Sequence, residues 1–179
     1  KLAGDIDAAV KQGATALEIA PDTAENHIWL IEFMIELGRT ENIVKLTKDA
    51  VERYPAHLGL RLLQAQNQIL IGANDESLQI VEVLLSLIDK TDDPDELIKA
   101  AGVFSALDHH EKTIFCLEKA AAHGNSQALL SLAGLFRMSG ELEKAVAVLD
   151  KLQPTTGMIE LLKKETAFTQ SGEAAPLEI

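Results

Sequence analysis

Aromatic side chains are scarce in this sequence: one Trp, one Tyr and five Phe make up 4% of 179 residues. Strands draw heavily on Tyr, Phe, Thr and Val, so this composition disfavours a β-sandwich and suits closely packed helices rich in Ala and Leu. Cysteine is nearly absent too. The single Cys116, in KTIFCLEKA, excludes an internal disulfide and a thiolate zinc site. No His stands beside it in a nucleophile arrangement, so buried packing is its expected role. Cations are in deficit, with 16 Lys and Arg against 28 Asp and Glu for a net charge of −12. A phosphate backbone would be repelled, and nucleic acid is not an expected partner. No apolar run approaches the roughly 20 residues of a bilayer crossing, so no membrane insertion is expected. Neither a P-loop nor a dinucleotide-binding glycine motif occurs.

What the chain has in quantity is apolar residues, 47% of the total, enough for one domain or one repeat array. They recur with a long period. GDIDAAVKQGATALEIAP, residues 4–21, lies over GRTENIVKLTKDAVERYP, residues 38–55, with Gly, Val, Lys, Ala and Pro coinciding in order at a constant offset of 34. Gly72 falls a further 34 on, in GANDESLQIVEVLLSLID, where Asp89 replaces the closing Pro. The later turn positions are spaced 36 from Gly72 to Asp108 and 32 from Asp108 to Gly140, as insertions at turns allow.

A 34-residue period with apolar W-x2-L-G-x2-Y slots on a first helix, A-x3-F on a second and a closing Pro is the pattern of the tetratricopeptide repeat, which the chain resembles along nearly its whole length. Leu129, Leu132, Ala133 and Phe136 fill the first-helix slots of one unit, with Ala145 and Leu149 on its second helix. Leu97, Ala100, Ala101 and Phe104 fill those of the preceding unit, followed by Thr113, Leu117 and Ala120, and Asp108 stands for the turn glycine. Two units depart from the pattern. One has His27 in the Trp slot and Ile31 where Gly or Ala is usual, with Trp29 nearby; the other puts Arg61, Gln64 and Gln68 in apolar slots. In the latter, Leu58, Leu62, Ala65 and Ile69 make a continuous helical stripe, so either the helix is rotated to turn Gln64 and Gln68 outward or a Gln pair is buried. KAAAHGNSQALLSLAGLF is also similar to SEL-type repeats, through Ala121, Ala122, Gly124, Ala128, Leu132, Ala133 and Phe136.

The resemblance implies an all-α, right-handed solenoid of antiparallel helix pairs. The expected organisation is a second helix of a truncated repeat at 1–21, repeats at 22–55, 56–91, 92–125 and 126–154, a capping helix at 155–170 and a disordered tail at 171–179. Helices are expected near 5–19, 23–37, 40–53, 57–71, 74–89, 94–107, 110–123, 126–138 and 141–152. Gly38, Gly72, Gly124 and Gly140 suit left-handed helix ends, and Asp22, Thr23, Asp75, Asp93 and Ser126 suit N-caps. Only three residues precede Gly4, so the chain reads as starting on the second helix of a repeat. Its apolar face, with Ile6, Val10 and Leu17, is then open, and a second copy of the chain is an expected partner for it.

Chemical motifs are weak. DHHE, Asp108 to Glu111, has metal-ligand residue types, but neighbouring side chains on a helix diverge, unlike the i, i+4 pairing of a zinc helix. His27 and His57 suit packing or capping. Asp92, Asp93, Asp95 and Glu96 flank a helix start, where the macrodipole favours negative charge. No catalytic, metal or cofactor residue is assigned, so function is expected from shape: a non-catalytic scaffold for protein–protein interaction. In tetratricopeptide proteins first helices line a concave face that holds a peptide or partner helix. The matching residues here are Glu25, Ile28, Glu32, Ile35 and Glu36, then Leu62, Gln66, Ile69 and Leu70, then Ile98. An apolar ligand with a basic flank suits that surface. The alternatives are an accessory repeat segment of a larger enzyme and a SEL-type adaptor.

Overall fold

A computed structural model describes residues 8, 11–13, 15, 19, 22–38, 43–73, 79–152 and 157–171. Among them the regular structure is entirely helical. Beyond the helical positions within 8–19, the helices are α1 (Ala24–Glu36), α2 (Ile43–Arg53), α3 (Leu58–Leu70), α4 (Val81–Ile88), α5 (Pro94–Ala106), α6 (His110–Ala122), α7 (Ser126–Met138), α8 (Leu142–Leu149) and α9 (Gly157–Ser171). The chain divides into two compact units whose boundary passes through α5: residues 1–91 with 103–108, and residues 92–102 with 109–179.

Turn chemistry sets the helix ends. Gly38, Gly72, Gly124 and Gly140 have φ of +67°, +77°, +79° and +78°, a conformation in which a Cβ clashes with the following carbonyl. Asp108, in place of the turn glycine, adopts the same left-handed conformation at φ +62°. Thr23 caps α1 by accepting from Asn26 N at 3.3 Å, and Asp93 Oδ1 accepts from Asp95 N at 2.9 Å beside the start of α5. Two expected caps differ. Asn125, not Ser126, caps α7, because its Oδ1 reaches Ala128 N at 3.0 Å while Ser126 is already the first helical residue. Asp22 caps nothing and instead joins two helices, as described below. Asp75 lies outside the described residues.

In the first unit α1, α2 and α3 pack in sequence, and α4 follows against α3. Ala24, Leu30, Ile31 and Met34 of α1 meet Ile43, Ala50 and Val51 of α2 and Leu60 and Leu63 of α3 in one apolar cluster. Full burial of each large aliphatic group contributes about 1.5–3 kcal/mol. The α1/α2 pair is antiparallel, because the end of α2 returns to the start of α1: Tyr54 Oη donates to Asp22 O at 2.7 Å and Arg53 Nη1 to Asp22 Oδ2 at 2.7 Å. His27 Nε2 lies 2.8 Å from Asp22 Oδ1, and its ring is tilted against Tyr54 with centroids 5.9 Å apart.

The second unit repeats the device. Lys119 Nζ and His123 Nε2, at the end of α6, each lie 3.6 Å from Asp92 Oδ1 before α5, so this pair is antiparallel too. Helix α7 packs on α6, α8 on α7 and α9 on α8. Lys163 of α9 pairs with Asp150 at 3.0 Å, and Thr166 is fully buried with its hydroxyl donating to Leu162 O at 2.7 Å. The expected final helix thus extends to Ser171, where sequence placed the start of the tail; residues 172–179 lie outside the described residues.

Candidate partner-binding surface

One strip of α1 is left open by its neighbours. Leu30, Ile31 and Met34 turn into the core, whereas Glu25, Trp29 and Glu36 are exposed and Glu32 is half-buried. These four fall at i, i+4, i+7 and i+11, one line along the helix surface. The Glu25 carboxyl is held below its ordinary value, first by a hydrogen bond from its own backbone, with partial offset from desolvation, and then by His57 and Thr23. It therefore stays anionic. His57 Nε2, just before α3, sits 3.5 Å from Glu25 Oε1.

Ile28 and Ile35 flank the strip on the side of α3 and are half-buried. A Cβ on Gly59 would lie 3.0 Å from Ile28 Cδ1 and 3.3 Å from the His57 ring, so glycine at this point lets α1 and α3 approach closely. Helix α3 is buried on most of its circumference. Gln66 and Leu70 are exposed, Leu70 to 65%, and Ile69 is half-buried.

Leu62 was expected on this surface and does not belong there. At 1% exposure it is a core side chain. The stripe reading of α3 holds for Leu58, Leu62 and Ala65, which are all buried, but burial extends to Leu60, Leu63 and Asn67 on the other side. A helix enclosed by neighbours on several sides has no single apolar face, so periodicity could not separate its groove positions from its core. Gln64 and Gln68 are half-buried, neither fully outward nor a buried pair. Arg61 Nη1 donates to Gln64 Oε1 at 3.2 Å.

Sequence reasoning left Trp29 out of the surface set. Its ring is stacked on Phe33 at 5.3 Å between centroids and 5° between planes, and the residue is 53% exposed. The signal was available in the i, i+4, i+7 spacing with Glu25 and Glu32. Its other neighbour is Gly13, where a Cβ would meet Leu30 Cδ1 at 3.3 Å and the indole at 3.6 Å.

Ile98 is half-buried on α5 and belongs to the second unit. That unit holds a cavity of about 390 Å³ floored by Leu129, Leu132 and Phe136 of α7, with Ala121 and Ala122 on one wall and Val148 on the other. Among the described residues no group of His, Cys, Asp and Glu is placed to hold a metal ion, DHHE included. No helix of the described residues is long and apolar enough to cross a membrane. On the N-terminal helix Ile6, Val10 and Leu17 lie outside the described residues; Ile19 is 81% exposed.

No protein-family model matches the chain, and no curated protein does. Solved structures do. TTC0263, a thermophilic TPR protein of Thermus thermophilus, superposes with a TM-score of 0.60 at 20% identity over 93% of each chain. The fold is that of the tetratricopeptide repeat. MamA is similar at TM-score 0.62 and 17% identity, over 96% of this chain and 94% of its own. Yeast Tom70 gives 0.65 at 17% identity, with 96% of this tetratricopeptide-type chain covering 37% of Tom70. Identities this low carry the α-solenoid of helix pairs and nothing finer.

Proposed function

We propose that the chain is a non-catalytic scaffold that holds a peptide or partner helix on the open face of α1 and α3. Glu25, Ile28, Glu32, Ile35 and Glu36 form one side of the surface and Gln66, Ile69 and Leu70 the other. The observation that carries this reading is the 65% exposure of Leu70 on α3, a helix in contact with α1, whose Glu25 and Glu36 are exposed and Glu32 half-buried. An apolar group that open costs free energy in water, and its burial under a ligand would contribute at roughly 25 cal/mol per Å² before association entropy is subtracted. The glutamates repel a carboxylate-rich ligand and favour one with a basic flank, mainly by speeding encounter. Titration of an amphipathic peptide with a basic flank against one ending in acidic residues tests the proposal. The basic peptide should bind more tightly, and preference for the acidic peptide would refute it.

Self-association is the accompanying reading for the N-terminal helix, favoured by the exposure of Ile19 beside a hollow lined by Ala8, Lys11, Gln12 and Thr15. Light scattering should show a concentration-dependent dimer that Ile19→Glu weakens; a monomer at all concentrations would dismiss it.

A further inference from the structure

A large aromatic group half open to water, with carboxylates before and after it on one helical line, is chemically specific. Trp29 follows Glu25 by four residues and precedes Glu32 by three, so both acidic side chains neighbour the indole on the surface of α1, and Glu36 continues the line. The strip from Glu25 to Glu36 covers about 16 Å at 1.5 Å per residue. Phe33 lies parallel to the indole, at 5° with ring centroids 5.3 Å apart, and Gly13 lies beside the ring edge. Trp29 is therefore a preset platform.

An aromatic face attracts cations through its quadrupole, indole most strongly, and a guanidinium can stack on it while donating to carboxylates at its edge. An ammonium gains only the point-charge part of this. A purely apolar ligand would cover the ring and desolvate the carboxylates beside it without bringing them a cation. A carboxylate-bearing ligand would be repelled.

We propose that Trp29, flanked by Glu25 and Glu32, is the receptor for an arginine side chain of a protein or peptide partner. The inference rests on the scaffold reading above and narrows it: the basic flank is an arginine, and its seat is the indole. Glu36 extends the acidic line toward the C-terminal end of α1 for a second basic group.

Trp29 is the only tryptophan of the chain, so its emission reports directly on the site. The probes are acetylated amphipathic peptides with identical Leu and Ile positions and either arginine, lysine or citrulline at one flank, titrated into the intact chain. The arginine peptide should change the Trp29 emission and bind about fivefold more tightly than the citrulline peptide, with lysine between them. By calorimetry, Trp29→Leu should abolish the arginine preference while Trp29→Phe keeps part of it, with helical content unchanged in both. Added salt should reduce the carboxylate share and leave the stacking share. Equal affinity for arginine and citrulline peptides, or a preference that survives Trp29→Leu, overturns the arginine seat and leaves the scaffold standing. Binding by none of the three overturns both.

Discussion

Asn67 of α3 donates its Nδ2 to Thr47 Oγ1 of α2 at 2.8 Å, and both residues are buried. The Thr47 hydroxyl in turn donates to Ile43 O at 2.7 Å, so its hydrogen and a lone pair are both used. This polar link lies within an otherwise apolar interface and ties two successive helices at one register. The two ends are unequal. Removing the hydroxyl with Thr47→Val strands a buried amide donor, at a cost of about 1–3 kcal/mol. Replacing both partners, as in Thr47→Val with Asn67→Leu, removes the need for the bond. The double variant should be less destabilised in urea than the sum of the two single variants. Strict additivity would show that the pair is uncoupled.

Two glycines six residues apart should respond in opposite directions to the same substitution. Gly134 is an exposed interior position of α7, and a Cβ there would meet nothing within 4 Å. Alanine restricts the unfolded chain at no steric cost, so Gly134→Ala should stabilise by about 0.5–1 kcal/mol. Gly140 also has open space, but its φ is +78°. Gly140→Ala should destabilise by about 1–2 kcal/mol through the backbone alone. Thermal unfolding of the two variants checks both signs.

The helix pairs were legible because one property was repeated: an apolar stripe ended by a residue that tolerates left-handed backbone. The unfitting Asp108 obeyed the same rule, since a short polar side chain can adopt φ near +60°. Slot matching also placed Leu97, Ala100, Phe104, Leu132 and Phe136 correctly in the interior. It failed at α3, where Leu62 was assigned to the surface. Exposure there depends on how many neighbours enclose the helix, a tertiary fact that a helical wheel does not contain. Trp29 was noted beside the Trp slot but left out of the groove set. A large apolar residue on a helix is usually core, whereas this one is stacked on Phe33 and 53% exposed.

Acid should loosen the clasp between α1 and α2. The Asp22 carboxyl is held below its ordinary value of 3.8, first by the hydrogen bond with His27, with partial offset from desolvation, and then by Arg53. A folded value below the unfolded one means that the unfolded chain binds the proton more readily. The contribution is therefore present above about pH 4 and is lost as pH falls through the lowered folded value. Asp22→Asn should lower the melting temperature at neutral pH by a small amount, because the pair is exposed, and should flatten the acid limb of the melting curve. Parallel acid limbs for the two proteins would place the acid sensitivity elsewhere.

Cys116 should be inert in the folded chain. Burial pushes its thiol up to about 12, with only partial relief from Lys119. At pH 8 the thiolate, which is the reactive form, is then a negligible fraction. Ellman's reagent should label Cys116 only at denaturant concentrations at which helicity is lost, and rapid labelling of the native protein would contradict the packing of α6.

Leu62 and Leu70 sit eight residues apart on α3 and should separate stability from binding. Leu62, at 1% exposure, has no route to a ligand, and Leu62→Asp would bury an uncompensated carboxylate among apolar neighbours. Its expected effect is several kcal/mol of destabilisation or outright loss of the first unit. Leu70, at 65% exposure, gains little from the folded state, so Leu70→Asp should shift stability by no more than about 0.5 kcal/mol. On the binding surface the order reverses. The new carboxylate at position 70 removes apolar contact and places a charge where a ligand's apolar face would lie. A milder core change, Leu62→Val, keeps the fold and makes the comparison fair. A circular-dichroism melt with a peptide titration on each variant should find Leu62→Val lower in melting temperature with unchanged affinity, and Leu70→Asp unchanged in melting temperature with affinity reduced about tenfold or more. Full affinity in Leu70→Asp would move the ligand off α3.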